Sequence, residues 1–478
     1  MPASTLRVPS PRIPTPVVRT PGDRRRLSAR WDPWILAAAL FAAYTAVSVG
    51  RYRHMTTLSW DLGIFEQAVR AYAHLRAPVA DLKGPGFDIL GDHFSPVTAV
   101  LAPLYRLFPS PVTLLVAQAA LFALSAVPVT RAAARLLGRR RGLALGLAHG
   151  LSWGVQRAVD FDFHEVCFAV PLIAFSLEAL LAQRLRAALC WALPLVLVKE
   201  DLGLTLAAIA LLVAWRARGR SPRAVRYALG VAVFGVAATV LVLTVAIPSF
   251  SPSGGYAYWD KVSDAGSPVE GLGTKLRTLA WLLIPTTGLL ALRSPLLVVA
   301  LPTLGWRFLS GDPDYWGTDW HYSAVLMPVV VLALADALTT ARLSTRAWLR
   351  SYAVHLPAAV AAAALALTTS LPLAQLTEAE IYRKPAAVSG VERLLARIPD
   401  GATVEANIGP ISRLTSRCRV FWLGNTQGVT PEYIALENVG GRYRDPVGYA
   451  RVLHPGAEYA VAGEAGGYVV LERRTAGG

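Results

Sequence analysis

"LPLVLVKEDLGLTLA" covers residues 193–207, and it sets three charged residues, Lys199, Glu200 and Asp201, between the apolar runs Ala187–Val198 and Leu202–Trp215. A charge at the centre of a bilayer costs about 2.5–3.5 kcal/mol or more. Basic residues flank the unit on both sides, Arg184 and Arg186 before it and Arg216 to Arg226 after it. By the positive-inside rule both ends therefore face the cytoplasm, and the unit is a hairpin with the three charges at its apex. Each arm has only 12 to 14 residues, or about 18–21 Å of helix against a hydrocarbon core of about 30 Å. The apex stops short of the outer surface. Charges at that depth persist where they line a water-filled cavity or pair with one another. The stretch predicts the floor of an outward-facing pocket.

The rest of the chain supports a membrane setting. Of its 478 residues 54% are hydrophobic and 16% are charged, against about 25% charged in soluble domains; the mean hydropathy is +0.43. Apolar runs of spanning length recur, among them Trp34–Gly50, Pro111–Leu136, Tyr227–Ile247 and Ala353–Leu373. The first follows about thirty polar residues and ends without a small-residue cleavage site, which argues against a signal peptide. Three scattered cysteines, Cys167, Cys190 and Cys418, form neither a disulfide framework nor a zinc motif.

Arginine clusters recur at Arg24–Arg30, Arg131–Arg141, Arg184–Arg186, Arg216–Arg226 and Arg342–Arg350. Between them lie "GFDILGDHFSP", "DFDFHEV" and "SGDPDYWGTDWHYS", with almost no basic residues. The net charge of +16 thus reads as topology and contact with membrane lipids rather than as nucleic-acid binding. The pattern predicts an all-α polytopic membrane protein with about eleven spans: roughly 34–50, 111–136, 142–158, 166–182, 187–198, 202–215, 227–247, 276–292, 295–309, 323–340 and 353–373. The N-terminus is then cytoplasmic and the C-terminus extracytoplasmic. "HFSPVTAVLAPLYRLF" (93–108) is apolar, but a span there would invert the arginine clusters, so it reads as an interfacial or re-entrant segment. Residues 1–33, rich in Pro and Arg, predict a disordered cytoplasmic tail. Residues 374–478 predict a small extracytoplasmic α/β domain. Its signs are the strand-like "GATVEANI", "RVFWLG", "EYIALE" and "EYAVAGEAGGYVVLERR", after a helical "AAVSGVERLLARI".

Chemistry-bearing residues gather on the expected outer face. The first outer loop holds Asp61, Glu66, Asp88, Asp92 and His93; the "DFDFHEV" loop holds Asp160, Asp162, His164 and Glu165. The apex adds Lys199, Glu200 and Asp201, and later loops add Tyr256, Tyr258, Trp259, Lys261, Asp319, His321 and Tyr322. Each has a plainer reading. Asp61 fits a helix cap, the aromatic residues fit an interfacial belt, and Lys199 with its neighbours fits an ion pair locking two helices.

Five motifs in order, "SWDLGIFEQAV", "GDHFSPVTAVLAPLYRLFPSP", "FDFHEVCFAVPLIAFSLEAL", "VLVKEDLGLTL" and "HYSAVLMPVVVLAL", resemble the bacterial membrane-protein family of domain of unknown function 2079 over residues 34 to 450. The chain departs from it where "DFHE" is followed directly by Val166 and Cys167 instead of a proline. That family is similar in layout to the GT-C glycosyltransferases, which use polyprenyl-phosphate sugars at the outer membrane face. The resemblance implies an inverting transfer of sugar from such a lipid to an acceptor. Asp61 stands where the family's general base is expected, with Glu66 as a second catalytic candidate. Lys199 stands at the donor phosphate, with His93, Glu200, Asp201, Tyr258, Lys261, His321 and Tyr322 as substrate-binding candidates. Asp162, His164, Glu165 and Asp319, together with His321, are candidates for a divalent metal assisting the phosphate. Two other functions compete. A transporter or flippase of a lipid-linked or anionic substrate should show charges reachable from both faces and an internal repeat; the chain shows neither. A non-catalytic scaffold would not need three charges below the membrane surface.

Overall fold

The computed structural model of the protein describes residues 21–256 and 269–474. The chain is mostly helical, with one small sheet near its C-terminus. Five helical segments are long and apolar enough to cross a membrane: Arg30–Arg53, Pro111–Leu137, Pro222–Phe250, His321–Ala341 and Ala347–Thr368. Shorter apolar helices occupy Val166–Leu181, Leu185–Leu197, Leu202–Ala217 and Pro295–Leu309. The expected span at 142–158 is broken into Arg139–Gly150 and Trp153–Asp160, and the one at 276–292 is the helix Leu272–Thr287. The first helix starts at Pro21, inside the stretch expected to be a tail; residues 1–20 lie outside the described residues.

The opening stretch is a hairpin. A helix over Leu185–Ala192 tightens into a 3₁₀ turn at Leu193–Leu197, and the chain reverses before the helix Leu202–Ala217. Its second arm packs closely on the helix Pro222–Leu241 through a pair of glycines. A Cβ on Gly203 would stand 2.4 Å from the Gly235 carbonyl oxygen, and one on Gly235 would stand 2.5 Å from that of Gly203. Small residues at a crossing let two membrane helices approach backbone to backbone. The segment at 93–108 forms a 3₁₀ turn, Pro96–Leu101, and a short helix, Ala102–Leu107. Neither is long enough to span.

The sheet contains β1 (Thr403–Ala406), β2 (Arg419–Trp422), β3 (Tyr433–Glu437), β4 (Tyr459–Ala465) and β5 (Tyr468–Arg473). Their order is β2-β1-β3-β5-β4, with β1 parallel to both β2 and β3, and β5 antiparallel to β3 and β4. All four strand-like stretches and the helix Ala386–Leu395 thus lie where the alternation of the sequence put them. One face of the sheet is covered by Val391, Leu394, Ile411 and Leu414, and also by Ile64, Ala68, Leu82 and Ile89 from the segment that follows the first helix. The chain boundary at residue 374 is therefore not a packing boundary. The helix Trp60–Ala73 completes the core of the C-terminal domain.

Candidate functional site

That helix is held from two sides. On the C-terminal side, Gln67 Nε2 donates to the Val420 carbonyl at 2.9 Å, Arg70 donates to the Thr415 and Cys418 carbonyls, and Trp60 meets Trp422 edge to face with ring centroids 4.5 Å apart. Asp81 takes two hydrogen bonds, at 2.8 and 2.9 Å, from the Arg419 guanidinium. At its N-terminus the cap position belongs to Ser59, whose side chain makes no capping bond and whose φ is 60°. The Ser59 amide instead donates to Asp162 Oδ2 at 2.8 Å. Asp61 sits in the first turn, not at the cap.

The first turn opens onto a cavity of about 460 Å³. Asp61, His93, His164, Lys199, Glu200, Asp201, His321 and Tyr322 all line it, so residues from four separate parts of the chain meet there. Lys199 Nζ lies 3.1 Å from Glu165 Oε1 and 3.7 Å from Glu200 Oε1. His164 Nδ1 stands 2.8 Å from Glu165 Oε2, without hydrogen-bond alignment. The His164 and His321 rings stack with centroids 3.7 Å apart, and His93 meets His164 edge to face at 5.9 Å. Asp92 Oδ2 is shared by His93 Nδ1 at 2.6 Å and Lys83 Nζ at 2.9 Å. Burial pushes the Asp92 carboxyl up, but the His93 and Lys83 charges together outweigh it and hold it below the usual carboxylate range. Burial pushes His93 down, and the Asp92 carboxylate outweighs that and raises it, which favours a cationic ring.

Other expected site residues lie elsewhere. Glu66 is fully buried and faces the C-terminal domain, accepting hydrogen bonds from the Tyr105 hydroxyl at 2.8 Å and from the Thr415 hydroxyl. A helix turns about 100° per residue, so five residues after Asp61 point about 140° away from it. Its proximity to Asp61 in sequence is not proximity at the cavity. Asp162 is turned to Ser59, and the Asp319 side chain is 73% exposed, 4.0 Å from Arg157. With Glu165 committed to Lys199, the proposed metal ligands do not converge; among the described residues no three His, Cys, Asp or Glu are arranged to hold a metal ion. Tyr258 and Lys261 lie outside the described residues.

The cavity also contains residues that sequence reasoning passed over: Trp60, Lys83, Trp306, Asp312, Asp314 and Tyr315. Lys83 stands ahead of a Gly-Pro-Gly turn, which hid it among turn residues. Arg307, fully buried, holds the far wall by donating to the Tyr315 and Gly317 carbonyls and to Ser323 Oγ.

The family description "Predicted membrane protein (DUF2079)" matches residues 51–446. The chain belongs to this family. Among proteins of curated function none matches it in sequence. In three dimensions it is similar to the crystal structure of ArnT from Cupriavidus metallidurans bound to undecaprenyl phosphate. The TM-score is 0.55 at 16% identity, over 90% of this chain and 98% of that one. The apo ArnT structure from the same organism aligns with a TM-score of 0.49 at 13% identity, over 86% and 92%. The likeness to the lipid-bound structure establishes the fold. This DUF2079 chain has an ArnT-like fold with a small C-terminal sheet.

Proposed function

We propose that the protein is a membrane glycosyltransferase that moves a sugar from a polyprenyl-phosphate donor to an acceptor hydroxyl at the outer membrane face. The observation that carries this reading is one cavity lined by a carboxylate, Asp61, and two ammonium groups, Lys83 and Lys199. In the reaction the acceptor oxygen attacks the sugar's anomeric carbon from the face opposite the phosphate, so the configuration inverts. Its proton passes to the Asp61 carboxylate. The bond between the anomeric carbon and the phosphate oxygen breaks, and the electron pair leaves with the polyprenyl phosphate. Lys199 and Lys83 offset the charge that builds on that oxygen.

The lipid character of the donor draws support from the outside of the same hairpin. Ala207, Leu211, Ala232, Val236, Val240 and Thr244 line an open apolar groove of about 730 Å³. The neighbouring turns of these two helices give Leu204, Thr239 and Leu243 to the cavity itself. A phosphate at Lys199 would have its chain beside this groove. The ArnT fold neighbour, whose crystal structure contains undecaprenyl phosphate, adds an analogy of architecture. The N-terminus is then cytoplasmic and the C-terminal domain extracytoplasmic, where it holds the Asp61 helix over the cavity. Purified protein in nanodiscs, given radiolabelled polyprenyl-phosphate sugars and membrane extracts as acceptor, should release polyprenyl phosphate and transfer label. Retention of all label on the lipid, across hexose and pentose donors, would overturn the proposal.

A further inference from the structure

Four polar side chains on the cavity wall hold atoms without a hydrogen-bond partner among the described residues. Glu200 is 95% buried, and its Oε1 accepts from the Tyr256 hydroxyl at 3.1 Å, while Oε2 has no hydrogen-bond partner among the described residues. Asp201 Oδ1 has none either. Asp201 occupies the N-cap position of the helix Leu202–Ala217, yet its side chain makes no capping bond, so the ordinary structural use of an aspartate there is not being made. Trp306 Nε1 and both ring nitrogens of His321, which is 2% exposed, are likewise without partners among the described residues. All four residues line the same cavity.

Native proteins pair nearly all of their buried polar groups, and an unpaired set converging on a cavity points to a ligand that completes it. The set mixes acceptors (the two carboxylates), a donor that can only donate (the indole N–H), and an imidazole able to do either. A phosphate offers only acceptors, so it leaves the unpaired carboxylate oxygens of Glu200 and Asp201 unsatisfied. An ammonium group satisfies carboxylates but gives nothing to an indole N–H. Sugar hydroxyls both donate and accept, and aromatic rings suit the apolar face of a pyranose. Trp306 lies edge to face with Tyr315 and Tyr322, at centroid distances of 5.1 and 6.1 Å. We infer that Glu200, Asp201, Trp306 and His321 form the subsite for the donor's sugar ring, recognised through neutral hydroxyls, beside the lysines that hold the phosphate. The inference rests on the polyprenyl-phosphate donor reading and adds to it which wall reads the sugar.

The test is equilibrium binding of the full chain in nanodiscs to three probes. They are undecaprenyl phosphate, the same lipid carrying glucose or mannose, and the same lipid carrying 2-aminoglucose. The variants are Asp201→Asn and Trp306→Phe. Wild type should hold a hexose-bearing lipid about tenfold or more tighter than the bare lipid. Asp201→Asn and Trp306→Phe should each erode that preference about 5–50-fold, the range for losing hydrogen bonds to charged and neutral groups. Bare-lipid affinity should stay within about twofold, which also shows that the variants are folded. Equal weakening of bare and sugar-bearing lipids, or an unchanged sugar preference in both variants, would overturn the subsite. So would loss confined to the aminoglucose lipid with Trp306→Phe silent, since that is the behaviour of a cation site. Failure of wild type to bind any of the three lipids would instead defeat the donor reading beneath it.

Discussion

The Asp162 carboxylate accepts a hydrogen bond from the Ser59 amide at 2.8 Å, and both residues hold left-handed backbone, φ 79° and 60°. Positive φ is uncommon outside glycine and is kept where surrounding structure imposes it. Here the bond joins the loop before the helix Val166–Leu181 to the turn that launches the helix bearing Asp61. Asp162 acts as a positioning residue. Asp162→Ala should lower the transfer rate about 10–100-fold while donor affinity holds, because about 1 Å of misplacement costs on the order of 10²-fold. Asp162→Asn keeps an acceptor oxygen and should restore most of the rate. Equal loss in both variants, or loss of donor binding, would remove the positioning role.

Glu66 ties the same helix to Thr415 of the C-terminal domain and to Tyr105 of the short helix. Burial pushes its carboxyl from 4.5 up to about 7, against the hydrogen bonds from Thr415 and Tyr105. A raised folded pKa means the docked state favours the protonated acid. Its stabilisation is fully present below about pH 4.5 and is lost as pH rises through about 7, an effect on the order of 3 kcal/mol at about 1.4 kcal/mol per unit. Thermal unfolding of the C-terminal domain in detergent should fall in midpoint across that window. Glu66→Gln should flatten the dependence. A midpoint that rises with pH over the same window would contradict the assignment.

Lys83 and Lys199 approach the cavity from the loop after the helix Trp60–Ala73 and from the hairpin apex, each already paired with a carboxylate, Asp92 and Glu165. Lys199→Met and Lys83→Gln should each weaken binding of bare undecaprenyl phosphate about 10–100-fold, the range of a charge-assisted hydrogen bond. Titrations at low and high salt should show a shallower salt dependence in both variants. Unchanged affinity in both would place the phosphate elsewhere.

The arginine asymmetry makes its own prediction. Alkaline phosphatase fused after residue 478 should be active in cells, and the same fusion after Arg220 should be silent. The reverse pattern would invert the membrane orientation and set the cavity on the cytoplasmic side.

Much of the site could be read from the sequence because depth in a membrane is costly. Lys199, Glu200 and Asp201 stood out at the end of arms too short to reach the surface, and they do line a cavity together with Asp61, His93, His321 and Tyr322. Helical phase was the clue passed over at Glu66, since a five-residue step from Asp61 turns a side chain away. The contribution of Lys83 and Trp306 depends on which loop folds over which helix, and no local pattern encodes that. The same holds for the apolar face of the helix Trp60–Ala73. Ile64 and Ala68 pack against Ile411 and Leu414, about 350 residues along the chain. Strand alternation is local, which is why the four strand-like stretches were legible and their partner from the first loop was not.

The role of Asp61 is tested most directly by single-turnover transfer from a labelled polyprenyl-phosphate sugar with Asp61→Asn. Asparagine keeps the shape of the side chain and removes its basicity. Asp61 lies in the first turn while Ser59 holds the cap position, so the substitution should leave folding and donor affinity intact. The rate should fall about 10²–10⁴-fold, the usual span for loss of a general base. Transfer by Asp61→Asn at the wild-type rate would contradict the assignment of Asp61 as the base that takes the acceptor's proton.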